Sequence, residues 1–400
     1  MDLGGSLGHL TYSTLVHPGD NWDEMWHSLT TYVPAVKKRV CPDAPFGVSL
    51  RLSGKSAARL TADAGERARL AKFLADNDMY LYTVNAFPHG PFKGQRVKEQ
   101  VYEPDWRTDE RALYTMRVAD ILAEVAPDGI SPSIQSPPCG FKPRVTGPDV
   151  VDAYTRQVLG VVAHLIKLRE RTGTTVTLAL EPEPFCFMEV TAETVAYFTG
   201  HLYAEKSAEA LATQTGLPVA QARAALRRHL GVVYDICHQA VEFEDISASL
   251  ASLAAAGIPV FKLQEAAALR VPVVTQELVD ALRPFADTVY LTQTIEKRDG
   301  QLTRYLNLED AFEAWKKDPG PREWRTHFHV PVFLDDLGLF KTTRFAIEDA
   351  LRFHKANPVS RQLEIETYTW DVLPAHLKTG DITEYVVREL DWVQRQLERT

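Results

Sequence analysis

Cysteine is scarce in this sequence, and its four copies, Cys41, Cys139, Cys186 and Cys237, are scattered with no Cys-x-x-Cys pair. A zinc knuckle or dithiol redox motif is thereby excluded, and free thiols are the expectation. No run of about 18 consecutive apolar residues occurs, so no transmembrane segment is expected. The opening MDLGGSLGHLTYS lacks a basic start followed by an apolar stretch, which points to a soluble, cytoplasmic chain. An excess of positive charge is missing too. The formal net charge of -9 repels a phosphate backbone, and nucleic acid is not an expected partner. Low-complexity tracts, internal repeats and linker-like stretches are also lacking. With 400 residues and 45% hydrophobic content, residues 1–400 read as one elaborated domain.

What is present is an alternation of short β-rich runs with amphipathic segments of helical period, the pattern of repeated βα units around a parallel sheet. About ten strand candidates occur, at 10–16, 46–53, 80–90, 130–138, 175–181, 230–238, 259–264, 289–297, 324–333 and 362–369. A closed (β/α)8 TIM barrel uses eight. The surplus falls in an insertion at about 270–340, and residues 191–229, with a turn at Thr215-Gly216-Leu217-Pro218, read as a second insertion, a helical hairpin. Both are expected to decorate the barrel rim. The hairpin's TGLPVAQARAALRRHL superficially suggests a DNA-reading helix pair, but three arginines in an acidic chain fit a solvated helix face better.

The most informative stretch is TVTLALEPEPFCFME, residues 175–189. Alternation puts Thr177, Ala179 and Glu181 on one strand face, with an acid at the top, and Pro182 and Pro184 stop the strand just past it. The same alternation turns Arg51, Asn85, Asp235, Lys262, Gln264, Glu364 and Glu366 inward and places His327 and His329 on a shared face. His89 follows on an aromatic, proline-stiffened loop, a wall for a small-molecule pocket or simply a packed loop. His17, at the end of the first strand, reads equally well as a base or as a loop histidine bonded to backbone. An arginine inside a barrel must be paired, so Arg51 either bridges a structural carboxylate or receives an anionic substrate group. Three carboxylates, Glu181, Asp235 and Glu366, converging in one mouth repel each other unless a cation neutralises them. Oxygen donors with one or two imidazoles suit Mg²⁺, Mn²⁺, Co²⁺ or Zn²⁺.

Glu181-Pro182-Glu183-Pro184 resembles the Glu-Pro-Lys-Pro motif of xylose isomerases, and Asp235-Ile236-Cys237-His238 resembles their acid-x-x-His motif one strand later. The whole order, including Glu366, is similar to the xylose-isomerase-like TIM barrels. The blocks HLTYSTLVHPG, FGVSLRLS, TVNAFPHG, LEPEP, RRHLGVVYDICHQAVEFED, WRTHFHVPVF and LEIETYTWDVLP resemble, more closely, the EboE family of metabolite traffic proteins. The resemblance implies a divalent-metal-dependent isomerase- or epimerase-like enzyme acting on a hydroxy-carbonyl or polyhydroxylated small molecule. It implies Glu181, Asp235 and Glu366 as metal ligands, completed by Gln264, His327 or His329. Glu181, Glu366 and His238 are the expected catalytic groups, and Arg51, Asn85, His89, Lys262 and Glu183 the expected substrate-binding groups. Two departures stand out. Glu183 replaces the motif's lysine, which argues against a hydride shift of the xylose-isomerase type, and Lys262 and Gln264 stand where epimerase-like relatives carry a histidine ligand. A metabolite carrier that keeps the pocket without turnover is the competing expectation, since one barrel hosts many functions. A homo-oligomer is compatible with either.

Overall fold

The computed structural model describes the chain except residues 95, 287–288, 375–376, 379 and 399–400. Eight strands form one parallel sheet: β1 (His9–Tyr12), β2 (Phe46–Arg51), β3 (Met79–Asn85), β4 (Ser133–Ser136), β5 (Thr177–Leu180), β6 (Leu230–Asp235), β7 (Val260–Glu265) and, late in the chain, β13 (Gln362–Ile365). Their order is β1-β13-β7-β6-β5-β4-β3-β2. The two ends of that order meet, through a parallel bridge between Ser13 and Ser49 and a 2.7 Å hydrogen bond from Thr11 Oγ1 to the Gly47 carbonyl. The sheet is therefore closed, and the fold is a (β/α)8 TIM barrel with helices on its outside.

The sequence shows why each piece forms. Asn21 caps the first helix, Trp22–Val40, by accepting from the Glu24 amide, and Gly173 ends the helix Pro148–Thr172 in the left-handed conformation at φ 79°. Outward strand residues such as Val48, Leu50, Leu178, Leu263 and Leu363 are buried in the main apolar cluster with helix residues such as Leu29, Val118 and Val162. Apolar contact outside leaves the inner face free to carry polar groups. Strand register then lines these up: Arg51 pairs with Asn85, Asn85 with Gln135, Asp235 with Gln264 and Gln264 with Glu364.

Two expectations are corrected. Residues 191–229 do contain the expected helical hairpin, Glu205–Thr215 packed on Val219–His229 across the turn at Gly216, but it does not sit on the rim that carries Glu181. They fold as helices Thr191–Tyr197, Glu205–Thr215 and Val219–His229 with a π-helical turn at Phe198–Leu202, and the last runs straight into β6. His229 bonds the Val176 carbonyl beside the start of β5, at the end of the barrel away from Glu181. The second correction concerns the larger insertion, which begins earlier than residue 270. Five strands, β8 (Ala267–Val271), β9 (Thr294–Arg298), β10 (Gln301–Tyr305), β11 (Glu323–Val330) and β12 (Lys341–Thr342), make a separate antiparallel sheet in the order β10-β9-β11-β8-β12. It leaves the barrel within two residues of the top of β7. Residues 289–293 of the expected strand 289–297 are not in β9. Among the described residues, no helix is long and apolar enough to cross a membrane.

Candidate active site

Glu181 directly follows β5, Asp235 ends β6 and Glu366 directly follows β13, so three acids reach the same end of the barrel from three strands. One carboxylate oxygen from each lies within 4.8 Å of the others. All three are at least 95% buried, at 2%, 0% and 5% exposure. Neutral amides hold them in place. Gln135 Nε2 donates to Glu181 Oε2 at 2.6 Å, Asn85 Nδ2 donates to Glu366 Oε1 at 2.8 Å, and Gln264 Nε2 donates to Asp235 Oδ2 at 3.1 Å and to the other Glu366 oxygen. Asp235 also caps the short helix Ile236–Val241, accepting from the amides of Cys237 and His238. This cap turns the chain at the strand end and brings His238 back to the site, where its Nδ1 lies 2.8 Å from the Pro182 carbonyl and its Nε2 3.5 Å from Asp235 Oδ2.

The electrostatics follow from burial. Desolvation, then the neighbouring Glu366 and Asp235, pushes the Glu181 carboxyl far above the usual range, and desolvation with Glu364 does the same to Glu366. Burial pushes Asp235 up to about 7 against the two amide bonds that oppose it. Burial also raises Glu183, against His238 and the hydrogen bonds from Tyr102 and Gln293. It lowers His238 and lowers His329 to about 3, so these imidazoles are neutral near pH 7.

Glu181 and Glu366 open onto a cavity of about 60 Å³. That is room for a handful of waters or for the reacting end of a small molecule. Asn85, Lys98, Gln135, Glu181, Glu183, His238, Gln293, His327 and Glu366 are its polar side, and Phe87, Phe92, Tyr102, Tyr290 and Tyr368 its aromatic side. Glu183 accepts from Tyr102 Oη at 2.7 Å and from Gln293 Nε2 at 3.0 Å.

Three residues expected to bind substrate are engaged elsewhere. Arg51 donates to the Gly19 and Gly90 carbonyls and to Asp20 Oδ1, which ties two loops together. His89 packs edge-on against Tyr114, and its Nε2 lies 3.7 Å from Glu110. Neither is among the described residues lining the cavity. Lys262 is 0% exposed and donates to Glu364 Oε2 at 2.9 Å and Gln135 Oε1 at 2.8 Å. With both of these cations so paired, Arg51 and Lys262 give an anionic substrate no support, and the lysine that does line the cavity is Lys98, which donates to Asn307 Oδ1 at 2.9 Å. His17 is buried against Tyr12 and stacked on Tyr32, outside the cavity lining.

His327 and His329 do arrive at the site. A register shift in β11 between Thr326 and His329 leaves residues 327 and 328 without partners on β8, and His327 lines the cavity. Sequence reasoning missed Tyr102, Gln293, Tyr290 and Tyr368. Gln293 and Tyr290 fall in the strand candidate 289–297 and Tyr368 in 362–369, where nothing in the alternation singles them out.

The donor set fits a divalent cation. Among the described residues, the three converging carboxylates have no cationic side chain on them other than the influence of Lys262 on Glu366, and the buried Gln264 Oε1 has no hydrogen-bond partner. As oriented, Gln264 offers its nitrogen to the acids, so ligation through oxygen requires the amide to turn over.

No protein-family model matches the sequence, and no curated protein sequence matches it. Among solved structures, the chain is similar to a D-tagatose 3-epimerase-like protein (11% identity, 98% of this chain and 97% of that one, TM-score 0.49). It is also similar to an L-ribulose 3-epimerase (12%, 98% and 94%, 0.47) and to the IOLI protein with a binding zinc atom (11%, 98% and 98%, 0.47). The barrel assignment rests on the strand order above, and the resemblance to the traffic-protein family on its sequence blocks alone.

Proposed function

We propose that the chain is a divalent-metal-dependent isomerase- or epimerase-like enzyme acting on a hydroxy-carbonyl or polyhydroxylated small molecule. The observation that carries this reading is the mutual approach of Glu181, Asp235 and Glu366 within 4.8 Å, with Glu181 and Glu366 lining the cavity. Glu181, Asp235 and Glu366 would hold the cation, with Gln264 Oε1 as a neutral oxygen donor, and the cation would acidify the substrate carbon and hydroxyl groups next to it. Glu181 and Glu366, reaching the cavity from β5 and β13, take a proton from carbon and return it. Their amide partners Gln135 and Asn85 keep the reacting oxygens aimed. Glu183, Asn85 and Gln293 bond substrate hydroxyls, and the aromatic wall excludes water and favours an uncharged ligand. A place in secondary-metabolite precursor processing or traffic is the finer part of this proposal and rests on the resemblance of the sequence blocks.

Incubating the metal-loaded protein with a metabolite extract in deuterated water tests the reading. Deuterium should enter a carbon-bound position of a polyol or hydroxy-carbonyl compound, and Glu181→Gln should abolish this. Ligand retention without incorporation would overturn it in favour of a carrier.

A further inference from the structure

The end of the barrel opposite the acids carries a groove of its own. Its volume is about 480 Å³, within the range of small-molecule sites, against about 60 Å³ for the cavity above the acids. It runs along the points where the chain enters β1, β13, β7, β6, β5 and β4, six consecutive strands of the sheet.

The charge of this groove is the reverse of that at the acid end. Arg228, at the end of the helix Val219–His229, and Arg361, just before β13, both line it, and no aspartate or glutamate is among the described residues that do. Arg223, in the same helix as Arg228, pairs with Glu205. Arg228 itself has no ion pair or side-chain hydrogen bond among the described residues, and Arg361 has only the Gly5 carbonyl, at 3.2 Å. Glu170 lines an adjoining groove with Arg228 and Arg169 but forms no ion pair with either among the described residues. The positive field reaches both flanks. Burial lowers His229 to about 4, with Arg228 and Arg169 adding to it against the bond to the Val176 carbonyl. Burial lowers His9 too, against Asp2, and the N-terminal amine and Arg361 add to that lowering.

Neutral donors stand beside the two arginines. Gln362 lines the groove at 6% exposure. Its Oε1 accepts from Ser133 and its Nε2 donates to the Ser131 carbonyl at 2.9 Å, so the amide is oriented and one of its N–H groups is left without a partner among the described residues. Thr175 Oγ1 accepts from Arg169 Nε at 2.9 Å, which leaves the hydroxyl proton to give. Val260, Phe261 and Val359 add an apolar flank.

We propose that this groove binds a small phosphorylated molecule, with the phosphate between Arg228 and Arg361 and the organic part against Phe261 and Val359. Guanidinium forks match phosphate oxygens, and two unneutralised arginines provide a local attraction that a chain of net charge -9 otherwise denies to such an anion. The site lies at the far end of the barrel from Glu181 and does not depend on the reaction proposed above.

Calorimetric titration of the full chain at low salt with phenyl phosphate, inorganic phosphate and benzoate tests it. Phenyl phosphate should bind one per chain, more tightly than inorganic phosphate, and benzoate should bind about tenfold more weakly than phenyl phosphate or not at all. Arg228→Gln/Arg361→Gln should weaken phenyl phosphate by about tenfold or more, whereas Glu181→Gln should leave its affinity unchanged. Both arginines are exposed, so their loss should spare the fold, and the single charge reversal Arg228→Glu gives a second variant that should abolish binding. Binding that survives in the arginine variants, binding that falls in Glu181→Gln, or no binding of either phosphate overturns the proposal. Equal affinity for inorganic phosphate and phenyl phosphate overturns the organic ligand in favour of free phosphate. Failure of deuterium exchange would leave these affinities readable.

Discussion

Strand tops of the barrel give the cavity Glu181 and Glu366, with Asp235 behind them, whereas the inserted segment gives imidazole, amide and aromatic groups, His327, Gln293 and Tyr290. The barrel side is over-supplied with negative charge held by neutral amides. The groups that the inserted side gives the cavity, His327, Gln293 and Tyr290, carry no charge at neutral pH. On the proposed reading, this contrast separates the acids that would move protons, which stand at the ends of closed barrel strands, from His327 and Gln293, which an appended sheet and its flanking segment add to a cavity otherwise shaped by barrel residues. The sharpest way to break the comparison is on the barrel side. Glu181→Gln and Glu366→Gln keep the shape of the side chain and remove the carboxylate, so each should lower exchange activity by about 10²- to 10⁴-fold. His327→Asn, on the inserted side, should cost much less. Equal losses for all three, measured as deuterium incorporation rates on folded protein, would show that the division is wrong.

A second test probes the barrel's own charge balance. Lys262, 0% exposed, is bonded to Glu364, whose carboxylate is equally buried. Lys262→Met leaves Glu364 without its partner and should cost about 3 to 5 kcal/mol in urea unfolding. Lys262→Met/Glu364→Gln should recover much of that, because no unpaired charge remains. No recovery would mean that the loss comes from packing rather than from charge.

How much of this was legible in the sequence follows the same division. Alternation along a strand is a local property, so the inward positions of Glu181, Asp235, Gln264 and Lys262 could be read directly, and the proline stops marked the strand ends. What alternation does not reveal is the partner. That Arg51 would be held by Asp20 and two loop carbonyls, and Lys262 by Glu364, depends on loops and on strands far apart in sequence. The inserted sheet was legible as surplus strands but not as a sheet, because its pairing is antiparallel and non-local. His327 enters the cavity through a bulge, which breaks the period that located it. Tyr102 and Tyr368 lie in short 3-10 turns with no periodicity to read.

The next prediction concerns protons and is smaller in effect. In the fold without a cation, Asp235 holds its proton up to about pH 7, against 3.8 as the ordinary value. Its contribution to stability is therefore full below about pH 4 and is lost as the pH rises through 7. A cation must displace such protons, so its apparent affinity should fall by about tenfold per pH unit below 7 for each proton released. The rise in melting temperature produced by Mn²⁺ should accordingly be greater at pH 8 than at pH 6. A rise that does not depend on pH would place the ion away from these carboxylates.

The smallest expected effect sharpens the comparison at its edge, where a charged barrel residue serves the loops rather than the chemistry. Arg51 ends β2, yet its guanidinium reaches Gly19 and Asp20 on one loop and Gly90 on another. Asp20 Oδ1 in turn accepts from the Phe92 amide at 2.9 Å, and Phe92 belongs to the aromatic wall. Losing the guanidinium leaves buried acceptors unmet but removes nothing from the acid cluster. Arg51→Gln should cost about 1 to 3 kcal/mol of stability. Because Arg51 reaches the cavity only through Phe92, whose ring its guanidinium also faces at 5.9 Å, KM should rise a few-fold while kcat holds within about a factor of two, as expected when only uniform binding is weakened. A fall in kcat comparable to that of Glu181→Gln would put Arg51 back among the groups that meet the substrate.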